Sequence, residues 1–411
     1  MKKFCISVTN AVFLTFWLNG VQAQTAQAQP AAVSFGTRDN INSKILNEQR
    51  RILVYVPASA SSEVYTKQRY PVAYLLDGDA VHFSSVVGMI RRLNSSYNCP
   101  EMIVVGILNI DRGKDFTPTH MNSFQFIDLV DSISGKKSGG GENFVSFLEN
   151  ELIPHVDSLY PTAPYRMLFG HSLGGLAVIN ILIHHSNLFR SYVAIDPAMG
   201  WDNQKLLKEA KEVLANNSYS GISLFLGIPN TMKAGMDTIK VKKDISKSTE
   251  QIRSVFELRD YFIINRQNQL RFAYKYYEND NHTSVPLITE YDALRFIFDC
   301  YQFDFFSDEY RNLEKLYENI SKFFGYKVNP PENMVNSLAN TFLSLKHFVE
   351  ALYLFRLNVN IYPESYNVYN AMGDFYSAKG DKPNAILNYT KALTIKEVPA
   401  VRKKLEGLQG K

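Results

Sequence analysis

The run Gly170-His171-Ser172-Leu173-Gly174-Gly175 constrains this chain more than any other. A short apolar stretch, Tyr165-Arg166-Met167-Leu168-Phe169, stands before it, and an apolar run over residues 176–183 follows. A strand that feeds a helix through G-x-S-x-G carries its serine on a sharp, strained turn. The flanking glycines leave room for that backbone and for close packing. The following helix aims its N-terminal N–H groups at the hydroxyl, where negative charge would develop. A glycine-rich turn with an idle serine explains the glycines but not the apolar runs on both sides.

Around this turn, from Arg51 to about Phe306, short apolar segments alternate with longer amphipathic ones. Strands are expected at 52–56, 72–76, 103–108, 166–169, 192–195, 223–226 and 272–276, and helices at 143–159, 174–185 and 248–262. Strands alternating with helices make an α/β domain with a mostly parallel sheet. Residues 132–141, with their three consecutive glycines, lack phosphate-loop spacing and read as a surface loop.

With 411 residues and 45% hydrophobic content, the chain can hold more than one domain. Lys2 and Lys3, an apolar run over 12–18 and Val21-Gln22-Ala23 read as an export signal over 1–23. Cys5 lies too early for a lipid anchor, and an uncleaved anchor is the competing reading. Residues 24–40 follow as a flexible leader, and the protein is expected in the periplasm or outside the cell. Without Lys2 and Lys3 the formal charge falls from +4 to +2, which argues against nucleic acid or an anionic membrane as partner. No later stretch is long and apolar enough to span a bilayer. Export permits Cys99 and Cys300 to pair, but nothing in the sequence requires it.

Past Pro330-Pro331 the pattern changes. Leu338-Ala339 recurs as Met372-Gly373, Phe342 as Tyr376, Ala351 as Ala385 and Phe355 as Tyr389, each at an offset of 34 residues. These spacings resemble the tetratricopeptide repeat, a helical hairpin whose small residues allow tight packing. Two such units are marginal alone, so helical stretches at 309–323 and 401–408 would cap them. The expected plan is a body over 41–306, a helical connector over 307–332 and a small all-α repeat domain over 333–411. The tail would bind a protein partner, mediate self-association or brace the body.

A serine hydroxyl needs a general base within hydrogen-bond reach. The chain order associated with this turn is serine, acid, histidine. His82, His120, His155 and His171 precede Ser172, His184 and His185 sit on its own helix, and His347 lies in the tail. His282 remains, on a polar loop after a late strand. The acid is expected on the loop after 223–226, where Asp244 stands just ahead of a helix. Asp237, Glu250 or a serine–histidine pair without a carboxylate remain open. Two backbone donors for the oxyanion are expected, the N–H of Leu173 and that of Asp79, with Gly78 next. Asp77 and Asp79 lack His or Cys companions, so turn chemistry explains them better than a metal, and no cofactor is expected.

At this point the chain resembles the esterase family of the α/β-hydrolase superfamily, in particular exported members similar to enterobactin-type siderophore esterases. The resemblance covers about 45–300. It rests on Gln49-Arg50-Arg51, Tyr74-Leu75-Leu76-Asp77-Gly78-Asp79, Val105-Gly106-Ile107-Leu108-Asn109-Ile110-Asp111-Arg112, Glu151-Leu152-Ile153-Pro154, the serine turn and Asp280-Asn281-His282-Thr283-Ser284. It implies that Arg112 and Trp201 line a substrate pocket. Two departures stand out. Asp196-Pro197-Ala198 replaces a frequent Ser-Pro-Ser, and the loop 227–247 is long. The expectation is an exported serine esterase that opens a small-molecule or glycan ester, such as a siderophore ester or an acylated sugar. An acyltransferase using the same site, or a repeat-based scaffold with a degenerate body, is the alternative.

Overall fold

Strands β1 Thr37–Ser43, β2 Glu48–Tyr55, β3 Tyr70–Leu76, β4 Ile103–Ile107, β5 Thr162–His171, β6 Ser191–Ile195, β7 Ser223–Pro229 and β8 Arg271–Tyr277 form one sheet, ordered β1-β2-β4-β3-β5-β6-β7-β8. β1 and β2 pair antiparallel, β2 runs antiparallel to β4, and every other pairing is parallel. This is the α/β-hydrolase arrangement expected. The structure is a computed structural model describing residues 35–121, 137–302 and 308–410. The expected export signal, most of the leader, the start of the 132–141 loop and the boundary at 306 lie outside the described residues.

β3 and β4 are buried at every position. Val72, Tyr74, Leu76, Ile103, Val105 and Ile107 join one core, while Ala73, Leu75 and Val104 join the other. Strands covered on both faces must be apolar throughout, and hence they stood out in the sequence. β1 did not. Its sequence is TRDNINS, and only Ile41 and Ser43 are buried.

Helices α1 Ala80–Asn94, α2 Arg112–Phe116, α3 Gly141–Phe147, α4 Ile153–Leu159, α5 Leu173–His184, α6 Trp201–Asn216, α7 Glu250–Ile264 and α8 Val285–Ile297 belong to the body. The helix expected over 143–159 is broken by a π-turn at Leu148–Leu152, directly before Pro154. Proline lacks an N–H and crowds the preceding turn, so a widened turn there relieves the clash. Among the described residues no helix is long and apolar enough to cross a membrane, and Cys99 and Cys300 are both free thiols.

Six helices follow: α9 Leu313–Phe324, α10 Glu332–Ser344, α11 Phe348–Ile361, α12 Tyr366–Ala378, α13 Lys382–Ile395 and α14 Pro399–Gln409. The 34-residue offset maps α10 onto α12 and α11 onto α13. The small residues Ala339, Ala351 and Ala385 are fully buried. The second core runs from the sheet into these helices, with Tyr165 of β5 packed edge-on against Phe324 at 4.5 Å between ring centroids. Glu332, fully buried at the start of α10, accepts from the N–H and hydroxyl of Thr66 in the body and from Ser365 ahead of α12.

One buried ion pair ties β2 to the helix that carries Arg112. Arg50, 1% exposed, donates to Asp115 of α2 at 2.5 Å and to Glu48 at 2.9 Å. Its guanidinium lies 5.5 Å from the centre of the Phe144 ring. Burial pushes the Asp115 carboxyl above its ordinary pKa against the pull of Arg50. Breaking such a pair strands a charge, whereas replacing both partners by apolar groups does not. Asp115→Ala is therefore expected to lower stability by about 3–5 kcal/mol in urea unfolding, with Arg50→Met/Asp115→Leu much closer to wild type.

Candidate active site

β5 ends at His171 and α5 begins at Leu173, so Ser172 alone makes the turn between them. Its φ of 60° and ψ of −117° are sparsely populated for a residue with a side chain, at a cost of order 1–3 kcal/mol. The surroundings hold it there. Its N–H donates to the Ile195 carbonyl at 3.0 Å, and its carbonyl accepts from Ala198 at 3.0 Å and Leu176 at 2.9 Å. A Cβ on Gly170 would fall 2.3 Å from the Gly174 carbonyl oxygen, and one on Gly175 would fall 2.9 Å from Pro197 Cα. The glycines are thus required by close approach. Leu173 is the first residue of α5, so its N–H has no intrahelical acceptor and stands beside the serine.

His282 lies where the chain turns from β8 into α8. Asn281 shapes that turn, its side-chain oxygen accepting from the N–H groups of Thr283 at 2.9 Å and Ser284 at 3.2 Å. The His282 ring sits 4.4 Å from the His171 ring, next to Ser172 in the chain. Burial, with the neighbouring His282 and Arg112 adding to it, pushes the His171 pKa down to about 3. His171 is therefore a neutral wall beside His282.

The carboxylate on His282 is Asp196. Its Oδ2 lies 2.6 Å from His282 Nδ1, and its side chain is 2% exposed against 36% for the histidine. A carboxylate only accepts, so Nδ1 carries a proton, and in the neutral ring Nε2 is the nitrogen with the lone pair. Asp196 follows β6 at a φ of 39°. Its N–H donates to the Gly227 carbonyl at 2.9 Å. Gln251 of α7 fastens the same turn, donating to the Pro197 carbonyl at 2.7 Å and to Asp196 Oδ1 at 3.4 Å.

The residues expected to supply the acid are engaged elsewhere. Asp244 accepts from the hydroxyls of Ser246 at 2.5 Å and Thr249 at 2.7 Å, bonds that pull its pKa down to about 2. Asp237 accepts from the N–H groups of Ile239 and Lys240, and Glu250 pairs with Lys247. All three shape the approach to α7. The signal for Asp196 in the sequence is the Asp196-Pro197-Ala198 departure directly after β6. The strand that presents the carboxylate is β6, beside the serine strand, one strand earlier than expected.

The turn after β3 also differs in detail. The Asp79 N–H donates to the Asp77 carbonyl at 2.8 Å, and the Gly78 N–H to the Ile107 carbonyl at 3.0 Å. Neither expected donor is free as the turn stands. The Asp79 carboxylate caps α1 through Val81 and His82. Arg112 reaches both oxygens of Asp77 from Nε at 3.1 Å and the His171 carbonyl at 3.2 Å, so its guanidinium braces the serine turn. Trp201 is 2% exposed and donates to the Thr119 carbonyl at 3.1 Å, a packed aromatic where a pocket wall was expected. A strained serine, a histidine and a buried carboxylate on that histidine are the kinds of group that acyl transfer uses.

A family model described as "Putative esterase" matches residues 43–253. The chain is 26% identical over 262 residues to ferri-bacillibactin esterase BesA of Bacillus subtilis, covering 61% of this chain and 86% of that protein. It is 34% identical over 151 residues to apo-salmochelin esterase of Escherichia coli, covering 35% of this chain and 46% of that protein. The crystal structure of an IroE-like serine hydrolase from Shewanella oneidensis matches with a TM-score of 0.67 at 26% identity, covering 79% of this chain and 99% of that one.

Proposed function

Because this chain belongs to the esterase family and is a hydrolase acting on ester bonds, we propose that Ser172, His282 and Asp196 are its triad and that a siderophore ester is its substrate. The observation that carries the reading is the 2.6 Å contact of buried Asp196 with His282, beside a serine held in a strained turn. Ser172 Oγ attacks the ester carbonyl while His282 Nε2 takes its proton. Asp196 stabilises the imidazolium so formed. The Leu173 N–H, at the start of α5, receives the developing oxyanion. The imidazolium then protonates the leaving alcohol, and water repeats the sequence on the acyl-enzyme.

The substrate class is supported by relatives named as siderophore esterases, and the sequence pattern over 1–23 supports a location in the periplasm or outside the cell. Fold alone does not choose an ester. A panel of siderophore triesters with and without iron, hydroxycinnamoyl sugars and acetylated polysaccharides tests the choice. The highest kcat/KM is expected on a siderophore. A preference for either carbohydrate ester by tenfold or more would overturn the substrate and leave the triad standing.

Gln251 is expected to matter through Asp196. Gln251→Ala frees the acid's turn, and kcat on p-nitrophenyl acetate should drop about tenfold with KM little changed. Stopped-flow measurement of the acylation burst checks that the loss lies in chemistry. The tail, tetratricopeptide-like in its spacing, acts in this reading as a brace. Glu332 and the aromatic seam at Tyr165 support that role.

A further inference from the structure

Beside the triad stands a second histidine–carboxylate pair. Glu290 of α8 is buried, its side chain 2% exposed, and its Oε1 lies 2.6 Å from Nε2 of His82 in the first turn of α1. The other ring nitrogen of His82 lies 3.2 Å from the Asp77 carbonyl oxygen. Both neighbours are acceptors, so both nitrogens of His82 must donate, and the ring is an imidazolium. Burial opposes that charge, but the hydrogen bond and charge of Glu290 outweigh it and lift the His82 pKa to about 9.

The Asp77 carbonyl therefore has two donors, His82 Nδ1 and the Asp79 N–H. Asp77 itself is held at a φ of 53°, with its carboxylate on Arg112. We propose that the His82–Glu290 pair is a positioning device for the oxyanion side of the site. By holding the Asp77 carbonyl itself, His82 lets the Asp79 N–H turn away from that carbonyl and onto the oxyanion while the carbonyl stays paired. Glu290 is carried by the helix that opens three residues after His282. The pair thus spans the two arms of the site, with Asp196 orienting the base and Glu290 the donor turn. This inference rests on the triad reading above.

The test uses the full chain with p-nitrophenyl acetate, active sites being titrated with a fluorophosphonate so that rates are per folded site. His82→Phe and Glu290→Leu should each lower kcat per site about tenfold while KM stays within about twofold. Glu290→Gln can still hold a neutral His82 with Nδ1–H on the Asp77 carbonyl, so its loss should be about threefold. An unchanged kcat per site in the first two, whatever their Tm, would overturn the inference and make the pair a structural strut. If those two fail to fold, His82→Gln and Glu290→Gln decide: about a threefold loss per site supports the device, and wild-type rates reject it. A Ser172→Ala control run alongside separates the two levels, since turnover surviving there refutes the triad and not the pair alone.

Discussion

Ser172→Ala should lower kcat on p-nitrophenyl acetate by about 10⁵–10⁶-fold while the protein stays folded. The size follows from how the site is built. The hydroxyl is the only group that bonds covalently to the substrate in this mechanism, and without it His282 and Asp196 have no proton to move. A residual rate would come from binding and the oxyanion donors alone. Relief of the turn at Ser172 is not expected, because alanine keeps a Cβ and meets the same φ of 60°. The Tm should therefore move little. A fluorophosphonate should label Ser172 in the wild type and nothing in the variant. Turnover within tenfold of wild type, or labelling at another residue, would remove the nucleophile assignment.

The second large effect belongs to the acid. Asp196→Asn should lower kcat about 10³–10⁴-fold. An asparagine can turn its amide toward Nδ1 as a donor, which puts the histidine proton on Nε2, where it cannot accept from Ser172. Burial sharpens the contrast, since at 2% exposure no water replaces the lost acceptor. Asp244→Asn, at the exposed turn ahead of α7, should leave kcat within about twofold of wild type, as expected of a surface substitution outside the site. Steady-state kinetics on the two variants side by side decide between β6 and the later loop as the source of the acid. The opposite ranking would return the role to Asp244.

The difference between Asp244, expected from chain order, and Asp196, which lies against His282, has a physical origin. Chain order constrains where a triad member falls along the sequence, but a carboxylate works by lying against a ring nitrogen, and that depends on strand neighbours. β6 is hydrogen-bonded to β5, so the residue after Ile195 emerges next to Ser172. The loop 227–247 has a carboxylate at the right place in the order and directs it to its own hydroxyls. The oxyanion turn shows the same limit at a smaller scale. Residue types named Asp79 as a candidate donor, whereas the direction of its N–H is set by the bend at Asp77 and by what else holds that carbonyl.

What the amino-acid sequence decided was everything carried by local pattern: the apolar strands buried on both faces, the glycine-bounded serine turn, the polar loop that carries His282, and the repeat spacing of the tail. Such features need only neighbours in the chain and a period. Tertiary structure alone set Asp196 and not Asp244 against His282, packed Trp201 against the Thr119 carbonyl and set Glu290 against His82. Each of those depends on two segments far apart in sequence meeting within about 3 Å, the distance at which a hydrogen bond forms, and no local pattern encodes which strand ends will meet.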